Sequence, residues 1–246
     1  MKSYLSGVFW GVANADRFRR GIQQVVDQVA PKGVFVGDNL LTFHKNLSFL
    51  DDAPFMSAFG RHAQTDVEKT IIWRTHVLCW AAKRAMKMAG DFVECGCYKG
   101  TSARIIHDYV DFGNSDKHYY LYDLFVHTPE MPHHAHEEHG EDLYDRVRDR
   151  FSGLERVHVT QGSLPDVLQE VAPENISLLH IDLNNAAAEI GVLRHLFDRV
   201  VPGGSIVLDD YGWQFYREQK EVEDSFFAER DCSILELPTG QGLVIK

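Results

Sequence analysis

A chain of 246 residues and 28.0 kDa, 44% hydrophobic and 25% charged, has enough apolar material for one sizeable core and the surface of an ordinary soluble protein. Its 25 Lys+Arg against 36 Asp+Glu leave a formal net charge of −11 with no long basic run, which argues against a duplex-binding or anionic-membrane surface. No apolar run approaches the roughly 20 residues needed to span a bilayer, and Cys79, Cys95, Cys97 and Cys232 make no C-x-x-C pair, so the expectation is a reduced, cytoplasmic protein without a disulfide framework or zinc knuckle.

Met1 to Trp10 has too little apolar character to read as a cleaved leader. Residues 14–30 carry helical periodicity, with Phe18, Ile22, Val25, Val26 and Val29 on one face and Pro31-Lys32-Gly33 as the stop. Residues 34–66 are aromatic-rich and show no sustained period; they read either as a cap over a pocket or as a covering segment for the core. Residues 67–89 form a strong helix, with Ile71, Ile72, Thr75, Leu78, Cys79, Ala82 and Met86 at three-and-four spacing and Gly90 as its end. Strands then alternate with helices. Strands are expected at 91–97, 119–125, 156–161, 176–183 and 205–208, and helices at 101–109, 137–151, 164–171, 187–200 and 214–229. Two short strands, 233–237 and 243–245, close the chain around Pro238-Thr239-Gly240-Gln241-Gly242. This order predicts an α/β protein with a mostly parallel, doubly wound, Rossmann-like sheet, to which the closing hairpin adds an antiparallel strand. Residues 1–66 are expected to form an N-terminal helix and cap, and residues 67–246 the ligand-binding domain.

Ligands of such a sheet bind at the carboxyl ends of its strands, so the residues found there carry the functional information. They are Glu94 with the turn Glu94-x-Gly96-x-x-x-Gly100, then Asp123, Gln161-Gly162-Ser163, Asp182 with Asn184, and Asp209-Asp210-Tyr211. Carboxylates ending four strands repel one another unless a hydroxyl-rich ligand or a cation lies among them. Asp123, some thirty residues past the glycine turn, suits a bidentate grip on ribose hydroxyls. The turn lacks the middle glycine that a pyrophosphate needs, which disfavours a nicotinamide dinucleotide and favours S-adenosylmethionine, with the 161–163 turn at the adenine edge. The expected cofactor contacts are Glu94, Gly96, Cys97, Tyr98, Gly100, Thr101, Ser102, Asp123, Leu124, Gln161, Gly162, Ser163 and Asp182.

Asp182, Asp209 and Asp210 offer an oxygen-only set that suits Mg²⁺ or a similar hard cation; the alternative is that an aspartate of the pair caps the next helix while Asp182 bonds the cofactor. The histidine-rich stretch 127–139 reads as a lid beside the cofactor, one of whose histidines reaches the substrate as a base, or else as a transition-metal site on His133, His134 and His136. The catalytic candidates are Asp182, His180 and His127. Arg74 reads as a surface arginine, with a carboxylate-holding role as the alternative. Tyr211-Gly212-Trp213 reads as an acceptor-pocket wall or as core.

Phe92-Val93-Glu94-Cys95-Gly96-Cys97-Tyr98-Lys99-Gly100, Leu179-His180-Ile181-Asp182 and Pro202-Gly203-Gly204-Ser205-Ile206-Val207-Leu208-Asp209-Asp210-Tyr211 resemble the macrocin-type sugar O-methyltransferases over roughly residues 67–246. The resemblance implies a class I, seven-stranded methyltransferase sheet with its last strand antiparallel. It also implies S-adenosylmethionine as methyl donor, Mg²⁺ on Asp182, Asp209 and Asp210, and a hydroxylated sugar, glycoside or other small acceptor. Where the family commonly has Asp-x-Asp after the fourth strand, this chain has Asp182-Leu183-Asn184, and an amide does not take up a proton near neutral pH. Two further expectations follow from that departure: a metal-independent O- or N-methyltransferase using a His/Asp base, and a cofactor-binding homologue without catalysis. The aromatics of residues 35–60 suggest a dimer contact or a cap. No nucleic-acid or membrane partner is expected.

Overall fold

The computed structural model describes residues 2–29, 31–128, 131 and 137–246. The first third of the chain builds a small layer of its own. β1 (Tyr4–Leu5) pairs in parallel with β2 (Phe35–Gly37), which turns back into β3 (Leu40–Thr42); α1 (Ala15–Val26) intervenes between β1 and β2. The β2–β3 turn is Asp38-Asn39, both with positive φ (50° and 55°), the backbone that a two-residue hairpin matched to strand twist demands and that Asp and Asn tolerate. Strands of two and three residues are too short to show a period, which is why this sheet was not legible beforehand.

α2 (Ala53–His62) follows, then α3 (Asp66–Thr70) and α4 (Ile72–Ala85). The expected single helix 67–89 is thus two: Thr65 and Glu68 form a reciprocal capping box that starts α3, and Ile71 leaves helical geometry (ψ 21°) between them.

The main sheet comprises β4 (Asp91–Cys95), β5 (Tyr119–Asp123), β6 (Val157–Gln161), β7 (Ile176–Ile181), β8 (Val200–Leu208), β9 (Leu235–Glu236) and β10 (Gly242–Ile245), in the spatial order β6-β5-β4-β7-β8-β10-β9. The five strands from β4 to β8 run parallel, and β10 runs antiparallel to both β8 and β9. The crossovers carry α5 (Thr101–Tyr109), α6 (Leu143–Arg150), α7 (Ala186–Leu196) and α8 (Arg217–Ala228). All six residues of β7 are buried, as a strand covered on both faces requires.

Three boundaries differ from expectation. α6 starts at Leu143 rather than 137, because the chain ahead of it is tied by the Gly140 N–H to the Phe125 carbonyl. Residues 166–169 make only a 3₁₀ turn. Pro202-Gly203-Gly204 does not end a helix; it lies inside β8, where the Gly203 N–H donates to the Lys246 carbonyl.

Residues 34–66 contribute to the core. Phe35, Phe49, Phe55 and Phe59 are buried in the same cluster as Phe92, Ile106 and Leu121, each such ring contributing about 1.5–3 kcal/mol by its removal from water. The segment covers one face of the sheet. On the other face Val93, Cys95, Leu179, Val192 and Phe227 form a second cluster. Among the described residues no helix is long and apolar enough to cross a membrane.

Strand order reverses between β4 and β7, the place where an open α/β sheet leaves a crevice. Register puts Cys95 beside Ile181, and Ile181 beside Leu208. Gly96, Asp182 and Asp209 therefore emerge side by side on one rim.

Candidate functional site

The loop from β4 into α5 is built from left-handed residues at alternate positions: Gly96 (φ 91°), Tyr98 (φ 45°) and Gly100 (φ 69°). Alternation of that kind gathers backbone N–H groups into a concavity ahead of a helix N-terminus, a setting for anionic or polar ligand groups. Gly96 is also required by packing, since a Cβ there would lie 1.8 Å from the Asp182 carbonyl oxygen. The glycine lets two strand ends touch as well as letting a ligand approach.

Glu94, 1% exposed, accepts the Ser102 hydroxyl on Oε1 (2.5 Å) and the Tyr119 hydroxyl on Oε2 (2.8 Å), with His180 Nδ1 at 3.3 Å. Asp123 accepts the Tyr98 N–H on Oδ2 and the Phe125 N–H on Oδ1, both at 2.7 Å, so it ties the glycine loop to the end of β5. The Thr101 hydroxyl donates to Glu68, whose carboxylate also meets Lys99 at 3.2 Å. Gln161 donates its side-chain N–H to the Leu124 carbonyl, and the Gly162 N–H bonds the Asp123 carbonyl. Cys97 is buried and Ser163 exposed. The predicted cofactor residues thus line one continuous strip from β4 across β5 to β6.

The acidic rim next to it has more structure than four solitary carboxylates. Arg74, read from sequence as a surface residue, is 9% exposed and lies at the centre. Its Nη1 donates to Asp209 Oδ2 at 2.8 Å and lies 3.5 Å from Asp210 Oδ1; Nη2 and Nε reach Asp38 Oδ1 and Oδ2 at 2.7 and 3.3 Å. Gln241, wholly buried in the turn before β10, donates Nε2 to Asp209 Oδ1 at 2.8 Å. His180 Nε2 stands 3.5 Å from the same Asp209 oxygen. Burial disfavours charge on both His180 and Asp209, but their partners outweigh it: Asp209 and Glu94 push the imidazole up to about 10, and Arg74 with His180 holds the Asp209 carboxyl well below its usual range. Asp182 and Asp210 differ. Desolvation, then the neighbouring Asp209, raises both, Asp182 well above the usual carboxylate range and Asp210 to about 7. The rim therefore holds one aspartate kept ionised by Arg74 and His180 and two, Asp182 and Asp210, that favour the protonated form.

Asn184 follows on the same rim with a left-handed backbone (φ 52°) and a buried Oδ1 that has no hydrogen-bond partner. Trp213 closes the far side, with the Arg74 guanidinium 5.3 Å from its ring centroid and Trp10 edge-on at 5.8 Å. Gly240 (φ 84°) makes that contact possible, because a Cβ there would sit 2.2 Å from Trp213 Nε1.

Of the histidine stretch, His127 stacks on His139 (6.2 Å, 4°), and His139 meets Tyr98 edge-on at 5.2 Å. The Glu138 N–H donates to the Tyr98 hydroxyl, and its carboxylate pairs with Lys99 at 3.0 Å. These contacts put both ends of the stretch beside the glycine loop, as a lid would be. His133, His134 and His136 lie outside the described residues.

Sequence reasoning found Asp182, Asp209, Asp210 and the glycine loop, which the fold brings together, and it also named His180, which lies between Glu94 and Asp209. It missed Asp38 and Gln241, and for Arg74 it gave the carboxylate-holding role only as the alternative to a surface position, which the structure reverses. A signal existed for Arg74: it falls on the buried stripe of α4 with Leu78, Ala81 and Ala85, where an unpaired charge is not tolerated. Gln241 and Asp38 sit in tight turns, whose residue types are equally explained by turn geometry.

The family model for Macrocin-O-methyltransferase (TylF) matches residues 74–232. No curated protein matches the chain in sequence. Among solved structures, the O-methyltransferase NovP superposes with a TM-score of 0.64 at 16% identity, covering 81% of this chain and 98% of its own. The methyltransferase PaMTH1 of Podospora anserina, in its SAH-bound form, gives 0.58 at 14% identity, covering 84% and 98%. The calicheamicin methyltransferase CalS11 gives 0.58 at 9% identity, covering 96% and 94%. At such identities these likenesses are of fold.

Proposed function

The chain belongs to the macrocin O-methyltransferase family of S-adenosylmethionine-dependent enzymes, and we propose that it methylates a hydroxyl of a sugar, glycoside or similar small natural-product acceptor with the help of a divalent cation. The observation that carries this reading is the contact between glycine loop and acidic rim: the Asp182 N–H donates to the Cys95 carbonyl at 2.8 Å, so cofactor strip and carboxylates share one crevice. S-adenosylmethionine supplies an electrophilic methyl group when bound along residues 94–102, 123–124 and 161–163. The donor set accords with a hard cation: Asp182, Asp209 and Asp210 offer oxygens, burial beside Asp209 raises Asp182 and Asp210, a cost that a bound cation would relieve, and ligand atoms of His180, Asp182 and Asp209 lie within 4.8 Å of one another. A cation held there would acidify an acceptor hydroxyl.

The chain's own residues do the rest. Arg74 and Gln241 fix Asp209 from two sides. His180, buried between Glu94 at 3.3 Å and Asp209 at 3.5 Å, has its imidazole raised by both and is a poor base. The orphaned Asn184 oxygen is suited to accept a hydrogen bond from the acceptor hydroxyl, orienting the oxygen without removing its proton. Asp182, one peptide beyond β7, is the base of this reading. His127, beside the glycine loop, belongs to the lid. A cytoplasmic homodimer is part of the same proposal; four free cysteines and the exposed Phe18 and Val25 of α1 accord with it.

One observation favours a second reading. Arg74 already presents a fixed positive charge to Asp209 and Asp210, so a metal-independent transfer with an Asp base fits the same rim. Methyl transfer from S-adenosylmethionine to a panel of sugar and glycoside hydroxyls, with and without EDTA, separates the two. Cation assistance predicts loss with EDTA and recovery with Mg²⁺. Unchanged turnover in EDTA supports the arginine reading, and transfer only to amines overturns O-methylation.

A further inference from the structure

The tip of the N-terminal hairpin reaches the acidic rim, although the family motifs begin after it. Asp38 has a fully buried side chain, a left-handed backbone (φ 50°) and an N–H that donates to the Thr70 hydroxyl at 3.0 Å. Its position is therefore fixed from both neighbours, β2 and α3. Its carboxylate occupies the Nε–Nη2 edge of the Arg74 guanidinium in a bidentate fork. A guanidinium has five N–H donors in a rigid plane, and an edge given to one carboxylate is not available to another. On the remaining edge it is Nη1 that faces the Asp209–Asp210 pair, at 2.8 Å to the first and 3.5 Å to the second. The Arg74 guanidinium also lies over the Trp213 ring, 5.3 Å from its centroid.

We propose that Asp38 is a positioning residue of the transfer centre: by holding the outer edge of Arg74 it keeps the guanidinium bonded to Asp209 at 2.8 Å and stops it from closing the 3.5 Å gap to Asp210, so that Asp210 can still take part in holding a divalent cation. The inference rests on the cation-assisted reading above. Without the fork, the released N–H groups of a buried guanidinium are free to turn toward Asp210, already 3.5 Å from Nη1, and to compete there with a cation. The hairpin is then a structural part of the centre, in addition to covering the core.

The test is Mn²⁺ binding to the full chain saturated with S-adenosylhomocysteine, followed by electron paramagnetic resonance, for the wild type, Asp38→Asn and Arg74→Lys. Asp38→Asn removes the fork together with one negative charge. Arg74→Lys keeps every charge while replacing the planar guanidinium, with its Asp38 fork and its Nη1 bond to Asp209, by a single ammonium, so it tests geometry apart from charge and still decides the matter if the first variant fails to fold. The expected result is a weakening of Mn²⁺ binding by about tenfold in both variants, with S-adenosylhomocysteine affinity held within about twofold. Steady-state kinetics should show a lower kcat with the KM for S-adenosylmethionine preserved, a split that general loosening of the fold would not give. Variants that bind Mn²⁺ as tightly as the wild type overturn the positioning role alone. A wild type that binds S-adenosylhomocysteine but no Mn²⁺ overturns the cation-assisted reading and this inference with it.

Discussion

Asn184 is the residue at which this chain departs most informatively from its family's usual pattern. An aspartate there would bring a third carboxylate beside Asp182 and Asp210; the amide brings an acceptor oxygen without charge. Asn and Asp share a tolerance for the left-handed backbone found at this position (φ 52°), so Asn184→Asp changes the chemistry with little backbone cost. If a base is what the site lacks, that variant should raise kcat by about tenfold or more near neutral pH. A pH–rate profile identical to the wild type's would show that Asp182 already suffices. Gly96 makes a different prediction. With a Cβ placed 1.8 Å from the Asp182 carbonyl oxygen, Gly96→Ala must part β4 from β7 and should cost about 3 kcal/mol or more, read as a fall in Tm and loss of S-adenosylhomocysteine binding. Both residues were legible in the sequence. Arg74 was legible as a candidate carboxylate holder, but its partner Asp38 was not, because it lies 36 positions away and pairs with it only through the fold.

Among the elements, α7 and α8 meet through two acids. Glu189 and Glu223 are 3% and 1% exposed, and Glu189 Oε1 accepts the Leu183 N–H at 3.3 Å, tying the helix pair to the loop that carries Asn184. Desolvation, then Glu223, raises Glu189 well above its usual range, and desolvation raises Glu223 to about 8. A carboxyl raised in the folded state binds its proton more tightly there than in the unfolded chain. Its contribution is fully present below the unfolded value near 4.5 and is lost as pH rises through the folded one. Stability should therefore fall between about pH 4.5 and 8, with Asp210 adding to the fall as pH rises from its ordinary value of 3.8 to about 7. Glu223→Gln should flatten part of that decline, measured as Tm against pH; equal declines in wild type and variant would remove these acids from the explanation. The helices and strands around them were readable because their periods run for several turns. The β2–β3 hairpin, the break at Ile71 and the 3₁₀ turn at 166–169 were not, since each is decided by caps, turns and tertiary packing over three to five residues.

At the scale of the molecule, the motifs that carry the family resemblance start at residue 67, but the core does not. Phe35, Phe49, Phe55 and Phe59 bury themselves against the helix layer of the main sheet, and Asp38 completes the charge balance of the rim. A chain starting at residue 67 is expected to be insoluble or molten, with early dye binding on heating; a cooperative melt at the wild-type Tm would contradict the shared core. The α/β alternation and the antiparallel close of the sheet were legible because long strands and helices advertise themselves in sequence. The joining of an N-terminal hairpin to the carboxylates of β7 and β8 was not, because it depends on contacts between segments far apart in the chain. The central claim is that glycine loop and acidic rim form one cation-assisted transfer centre. Anomalous diffraction from crystals grown with S-adenosylhomocysteine and Mn²⁺ tests it most directly. The account predicts ligand density along residues 94–102 and a manganese peak in contact with Asp182 and Asp210. Ligand density in that cradle with Arg74 alone against the aspartates, and no manganese peak, would contradict it.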